Sequence, residues 1–213
     1  MRTLSRVICA WALGMGLGLI GVEVAAATQA SPILVFGDSL SAGFGLRSDE
    51  GWVPLLQKRL QTQGYVTPVV NASVSGETSD GGVQRLPRAL QLHKPSLVIL
   101  ELGANDGLRG LPVPETRANL QKMVDMVQAA GSRVLLIGMR MPPNYGPRYT
   151  ADFSQMFADI AQRDHLAFVP FLLESVALNP SLMQADGMHP SAHAAPLILD
   201  TVWPRLLPLL HSR

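Results

Sequence analysis

Cysteine is almost missing from this 213-residue chain, and the one present, Cys9, stands alone. A single thiol cannot close an internal disulfide framework or build a cysteine metal site. Charge is also sparse and balanced. There are 17 Lys+Arg against 16 Asp+Glu, for a formal net charge of +1. Without a basic excess, the electrostatic footprint of a nucleic-acid binder is lacking. Aromatic residues make up only 6% of the chain, few for a surface that stacks on sugar rings. Long hydrophobic runs are limited to one, Val7 to Val22.

That run follows Arg2 and Arg6 and precedes Ala25-Ala26-Ala27. A positive start, an apolar stretch and small residues at the cut are the parts of a secretory signal peptide. The expected division is therefore a leader over residues 1–27, cleaved after Ala27, and one domain over residues 28–213. Cleavage would remove Arg2, Arg6 and Glu23, taking Lys+Arg from 17 to 15 and Asp+Glu from 16 to 15. It would also remove Cys9. The mature protein would be neutral, thiol-free, and periplasmic or secreted. The glycines of Gly14-Met15-Gly16-Leu17-Gly18 fall in the leader and bind no dinucleotide.

What remains alternates between short apolar runs and helical patterns. Strands are expected at Ile33 to Gly37, Val66 to Ala72, Leu97 to Leu102, Arg133 to Met139 and Ala167 to Pro170. Helices are expected from about Gly51 to Gln63, from Thr78 or Ser79 to Leu92, from Thr116 to Ala130, from Thr150 to Arg163 and from Ala192 to Leu210. Pro87 weakens the second, and Pro196, Pro204 and Pro208 are expected to break the last. Strands alternating with helices imply a parallel sheet with right-handed crossovers. The fold class is α/β: a three-layer α/β/α sandwich on five parallel strands, flavodoxin-like in order 2-1-3-4-5.

Glycine-containing polar turns follow the first three strands, and this topology gathers them at one sheet edge. The first is Gly37-Asp38-Ser39-Leu40. Ser39 lies just past a strand end, where open α/β sheets bind ligands. A serine nucleophile needs a base, and the base an orienting group. Asp186-Gly187-Met188-His189 offers both on one turn, with Asp38 as a rival orienting acid. Donors for an oxyanion could come from the N–H groups of Ser39 and Gly76 and the amide of Asn105. Taken singly, each of these residues also fits an ordinary turn. Ser41, Ser73 and Ser75 are rival serines with nothing to separate them from turn hydroxyls. His189 and His193 are four apart, but Pro190 intervenes and the glutamate of a zinc helix is missing, so no metal site is expected. The Gly-x-Ser-x-Gly elbow of the larger α/β-hydrolases is absent.

Together these blocks resemble the SGNH, or GDSL, hydrolases. Ser39, Gly76, Asn105 and His189 match the family's four letters in order. Gly76 lies in Asn71-Ala72-Ser73-Val74-Ser75-Gly76, Asn105 in Gly-x-Asn-Asp, and His189 in Asp-Gly-Met-His-Pro. The segments Glu101 to Gly110 and Pro143-Asn144-Tyr145-Gly146 are similar to the bacterial multifunctional thioesterase I/lysophospholipase/arylesterase group. Two departures are minor: Ala104 replaces a common second glycine, and Glu77 a common aspartate. The resemblance implies a catalytic set of Ser39, Asp186 and His189 and an oxyanion hole of Ser39, Gly76 and Asn105. It also implies substrate contacts at Leu108, Asn144 and Tyr145, and a loop, Gly107 to Pro112, that moves with substrate. No metal or cofactor is implied. The expected partner is a small acyl ester or thioester. Nucleic acid, membrane insertion after cleavage and a stable second copy are not expected. A carbohydrate acetylesterase and a non-catalytic binding module are the two competing readings.

Overall fold

The structure, a computed structural model, describes residues 31–211. The expected leader, with Cys9 and the glycines of residues 14–18, lies outside the described residues. Strand β1 (Ile33–Gly37) is buried at every position, as is β3 (Leu97–Glu101). Such continuous apolar runs suit central parallel strands covered on both faces. They are joined by β2 (Val69–Asn71), β4 (Arg133–Ile137) and β5 (Ala167–Val169). All pairings are parallel, and the order is β2-β1-β3-β4-β5. This is the expected topology, with β2 shorter than the apolar pattern suggested.

Helices cover both faces. A one-turn helix α1 (Ser39–Ala42) follows β1, and α2 (Trp52–Thr62) then packs against α7 (Ala195–His211). Helix α3 (Ser79–His93) packs on α5 (Val113–Ala129), and α5 on α6 (Pro147–Arg163). The glycine-rich crossing after β3 holds a short helix not foreseen from the sequence, α4 (Ala104–Leu108). It starts at Gly103, whose φ of 113° is open to glycine but strained for other residues. Helices α5 and α6 both begin earlier than expected, each with a proline in its first turn. Proline is pre-shaped for that position and gives up a donor that has no helical partner anyway.

The prolines of the last helix do not break it. Pro204 and Pro208 lie inside α7, and Pro87 lies inside α3. All three are exposed, while Leu86, Leu90, Val202 and Leu206 are buried. The apolar burial of each helix outweighs the hydrogen bond that proline removes. Only the first residues of the expected helix, Ala192–Ala194, form a separate 3-10 turn. Among the described residues, no helix is long and apolar enough to cross a membrane.

This contrast can be measured. Leu86→Ala is expected to cost about 2–5 kcal/mol in equilibrium urea unfolding. Pro87→Ala, one residue along on the wet face, should stay within about 1 kcal/mol of the parent.

Candidate active site

The carboxyl ends of β1 and β3 finish side by side, with Gly37 opposite Glu101. The chain after β1 turns at Asp38 into α1, so Ser39 is the first helical residue. Asp38 caps that turn, accepting from the Leu40 N–H at 3.0 Å. The chain after β3 turns at Gly103 into α4 and delivers Asn105. The third contribution comes from the turn between Pro180–Leu182 and α7, where an isolated bridge pairs Met183 with Pro190.

These segments meet in a relay. The Ser39 hydroxyl donates to His189 Nε2 at 2.9 Å, and His189 Nδ1 donates to Asp186 Oδ2 at 2.6 Å. The other oxygen of Asp186 accepts the backbone N–H groups of Met188 and His189, at 2.9 and 3.0 Å. The carboxylate thus holds both the imidazole and the turn that carries it. These hydrogen bonds, the backbone one from His189 foremost, lower the Asp186 pKa to about 2. Asp38, the rival orienting acid, makes no contact with His189 Nδ1; it binds Leu40 and Asn105 instead. Ser41 also departs from the rival role, donating to Glu101 at 2.6 Å.

Two oxyanion candidates have free donors. No hydrogen bond within the described residues occupies the N–H of Ser39 or of Gly76. Gly76 has a φ of 79°, and a Cβ there would meet nothing within 4 Å. Its glycine therefore answers to backbone conformation rather than to crowding. Asn105 Nδ2 already donates twice, to Glu77 O at 2.9 Å and to Asp38 Oδ2 at 3.2 Å. Arg109 also donates to Gly76 O, tying the loop after α4 to the Gly76 turn.

Beneath the serine lies a pair of buried acids. Burial foremost, with Asp106 nearby, raises the Asp38 pKa to about 6 despite its hydrogen bond from Leu40 and the nearby His189. Burial, and then Asp38, pushes Glu101 well above the usual carboxylate range. Both shifts favour the neutral acid, so the pair is biased against carrying two charges in a dry site. The fold prefers Asp38 protonated, so its contribution to stability declines as pH rises through the window that ends near 6. Among the described residues, no group of three or more His, Cys, Asp or Glu is placed to hold a metal.

A groove of about 280 Å³ opens beside Ser39 and His189 and runs across the ends of β3, β4 and β5. Leu108, Met139, Met141, Leu173 and Met183 give it an apolar lining. Leu108, one of the three substrate contacts the resemblance implies, lines the groove. Asn144 and Tyr145 are not among the lining residues; the stretch Met139 to Pro142 lines the groove instead. Tyr145 stands behind the loop, its hydroxyl donating to Leu108 O at 2.8 Å, and Tyr149 donates to Leu111 O at 2.9 Å.

Several residues escaped the sequence reading. Phe44 packs on the His189 ring with centroids 4.6 Å apart. Gln184 donates to Phe44 O and Pro190 O at 2.7 and 2.9 Å, and its own N–H binds His189 O at 2.7 Å. No local pattern marks either one, because their partners lie far along the chain. Glu101 did carry a signal, as an acid ending an otherwise apolar strand.

A family model described as the GDSL-like Lipase/Acylhydrolase family matches residues 35–195. The chain belongs to this family. Over 194 residues it is 50% identical to the Esterase TesA of Pseudomonas aeruginosa, covering 91% of this chain and 96% of that protein. It is 42% identical over 185 residues to the Thioesterase 1/protease 1/lysophospholipase L1 of Escherichia coli, covering 87% and 88% of the two chains. A solved crystal structure of TesA superposes with a TM-score of 0.82 at 51% identity, covering 84% of this chain and 99% of that one. Membership in this family makes the protein a GDSL serine esterase.

Asp186→Asn should lower kcat on the order of 10³ to 10⁴-fold by presenting the wrong partner to the imidazole, measured on an activated ester. A group whose pKa falls to about 2 on folding stabilises most fully above the ordinary carboxylate range of about 4 and loses that contribution as pH drops. The same variant should therefore flatten the stability profile between about pH 4 and pH 2. Removing both phenol hydroxyls, Tyr145→Phe with Tyr149→Phe, should speed amide exchange at Leu108 to Leu111 while leaving β1 and β3 protected.

Proposed function

We propose that Ser39, His189 and Asp186 carry an acyl-transfer cycle on medium to long acyl esters. The observation that supports this most is a serine–histidine–aspartate relay at 2.9 and 2.6 Å set at the mouth of an apolar groove. As Ser39 Oγ bonds to the ester carbonyl carbon, its proton passes to His189 Nε2. Asp186 holds the imidazolium that results. The carbonyl oxygen becomes an oxyanion facing the N–H groups of Ser39 and Gly76 and the amide of Asn105. Each such donor contributes about 3 kcal/mol when it is aimed at the transition state. The carbon–oxygen bond to the leaving group then breaks, and His189 returns its proton to the departing alkoxide. Water repeats the sequence on the acyl-enzyme, releasing the carboxylic acid and restoring Ser39.

Substrate class follows from the groove. Leu108, Met141 and Met183 offer dispersion contact to an acyl chain and no array of donors for a sugar. An acetylesterase would leave most of this apolar length unused. Fatty-acyl, aryl and lysophospholipid esters fit it better. Thioesters fit the same chemistry, since the thiolate is an easier leaving group. If residues 1–27 direct export, cytosolic acyl-CoA is not the natural substrate, and esters outside the cytoplasm are. Residues 107–112 form the movable edge of the groove in this reading, with Tyr145 supporting it from behind.

The test is hydrolysis of a p-nitrophenyl ester series from acetyl to palmitoyl by the mature protein and by Ser39→Ala. The variant should lose several orders of magnitude in kcat, and the parent's kcat/KM should rise beyond acetyl. Full activity in Ser39→Ala would overturn the nucleophile. A preference for acetyl would overturn the substrate class.

A further inference from the structure

Ser39 sits on a helix of only four residues, Ser39–Ala42. A single helical turn fixes several dihedrals for one hydrogen bond and does not hold itself together in water. The relay nevertheless needs the hydroxyl placed to well within 1 Å or so. Something outside α1 must fix it. From the β2 side, Asn71 Nδ2 donates to Ser41 O at 2.8 Å. From the β3 side, one atom makes two contacts. Glu101 Oε2 accepts the Ser41 hydroxyl at 2.6 Å and the Asp38 N–H at 3.3 Å. Those two residues flank Ser39. Glu101 is fully buried, and its other oxygen, Oε1, has no hydrogen-bond partner. A Cβ at Gly37 would lie 2.5 Å from Oε2, so the strand gives up a side chain where the carboxyl sits.

The geometry points to Glu101 as a positioning residue, whose single oxygen Oε2 clamps the nucleophile turn on both sides of Ser39. This rests on Ser39 being the nucleophile. Glu101 is not among the residues lining the groove, so it acts on the placement of the serine and not on substrate binding. Its task needs an acceptor and not a charge. Burial and the neighbouring Asp38 favour its neutral form, and Oε2 accepts from Ser41 and Asp38. Glutamine carries the same acceptor on the same stem. Leucine fills a similar space and carries none.

The experiment compares Glu101→Gln, Glu101→Leu and Ser39→Ala on one p-nitrophenyl ester. Rates are normalised to folded protein by circular dichroism. Glu101→Leu should lower kcat on the order of 100-fold, the loss expected for a reacting atom displaced by about 1 Å, with KM changed by less than about threefold. Glu101→Gln should restore kcat to within a few-fold of the parent. Ser41→Ala, which removes one of the two contacts, should fall between them. The inference is overturned if Glu101→Leu keeps its kcat, if its loss vanishes on normalisation, if KM carries the loss, or if glutamine fails as leucine does. Ser39→Ala separates the two claims. An inactive serine variant beside a fully active leucine variant removes only the role of Glu101, and an active serine variant removes the nucleophile itself.

Discussion

The pairing of β1 with β3 is the constraint on which the site depends. Five consecutive residues run in register, from Ile33 beside Leu97 to Gly37 beside Glu101. Both strands therefore end at one level. The turn carrying Ser39 and the turn carrying Asn105 leave the sheet next to each other. A slip of one residue would turn every side chain of β1 to the opposite face. Such a slip is opposed by the complete burial of Leu34, Val35 and Phe36 on both sides of the strand. The same register puts Glu101 against Gly37, where only glycine leaves room for its carboxyl.

Charge is distributed along the relay in an ordered way. Asp186 is the accessible acid, rich in hydrogen bonds and held ionised, and it faces the imidazole. Asp38 and Glu101 are the buried acids, pushed toward their neutral forms, and they face the backbone around Ser39. Environment therefore assigns one kind of side chain two tasks. A second buried network does similar work behind Asn105. Asp106 accepts the Ser79 N–H at 2.8 Å and the Ser79 hydroxyl at 2.5 Å, joining the start of α3 to α4. That joint carries the Gly76 turn and Asn105 on one frame.

The local parts were legible in the sequence. A short apolar run ending in Gly-Asp-Ser marked β1 and the turn with Ser39, and Asp-Gly-Met-His put Asp186 and His189 on one turn. Both depend on residues within a few positions of each other. Strand order followed from the alternation of strands and helices. What escaped notice depends on distant pairs. Phe44 and His189 are far apart in the chain, as are Gln184 and Phe44, and no periodicity links them. The prolines of α7 misled for another reason. Their effect depends on which face they occupy, and that is settled only when Val202 and Leu206 turn inward. Asn144 and Tyr145 do not line the groove, whereas Met139 to Pro142 do, and a loop sequence does not say which of its residues face inward.

The relay also joins two parts of unequal rigidity. Ser39 stands two residues past the end of a strand buried at every position. His189 stands on an irregular turn tied mainly by local contacts: hydrogen bonds to Asp186, one strand bridge, Gln184 and the face of an aromatic ring that is 50% exposed. Segments with few buried contacts open at lower free energy than the core around them. Warming is therefore expected to part the imidazole from the serine before the sheet loosens, so that activity fades while the fold is still intact.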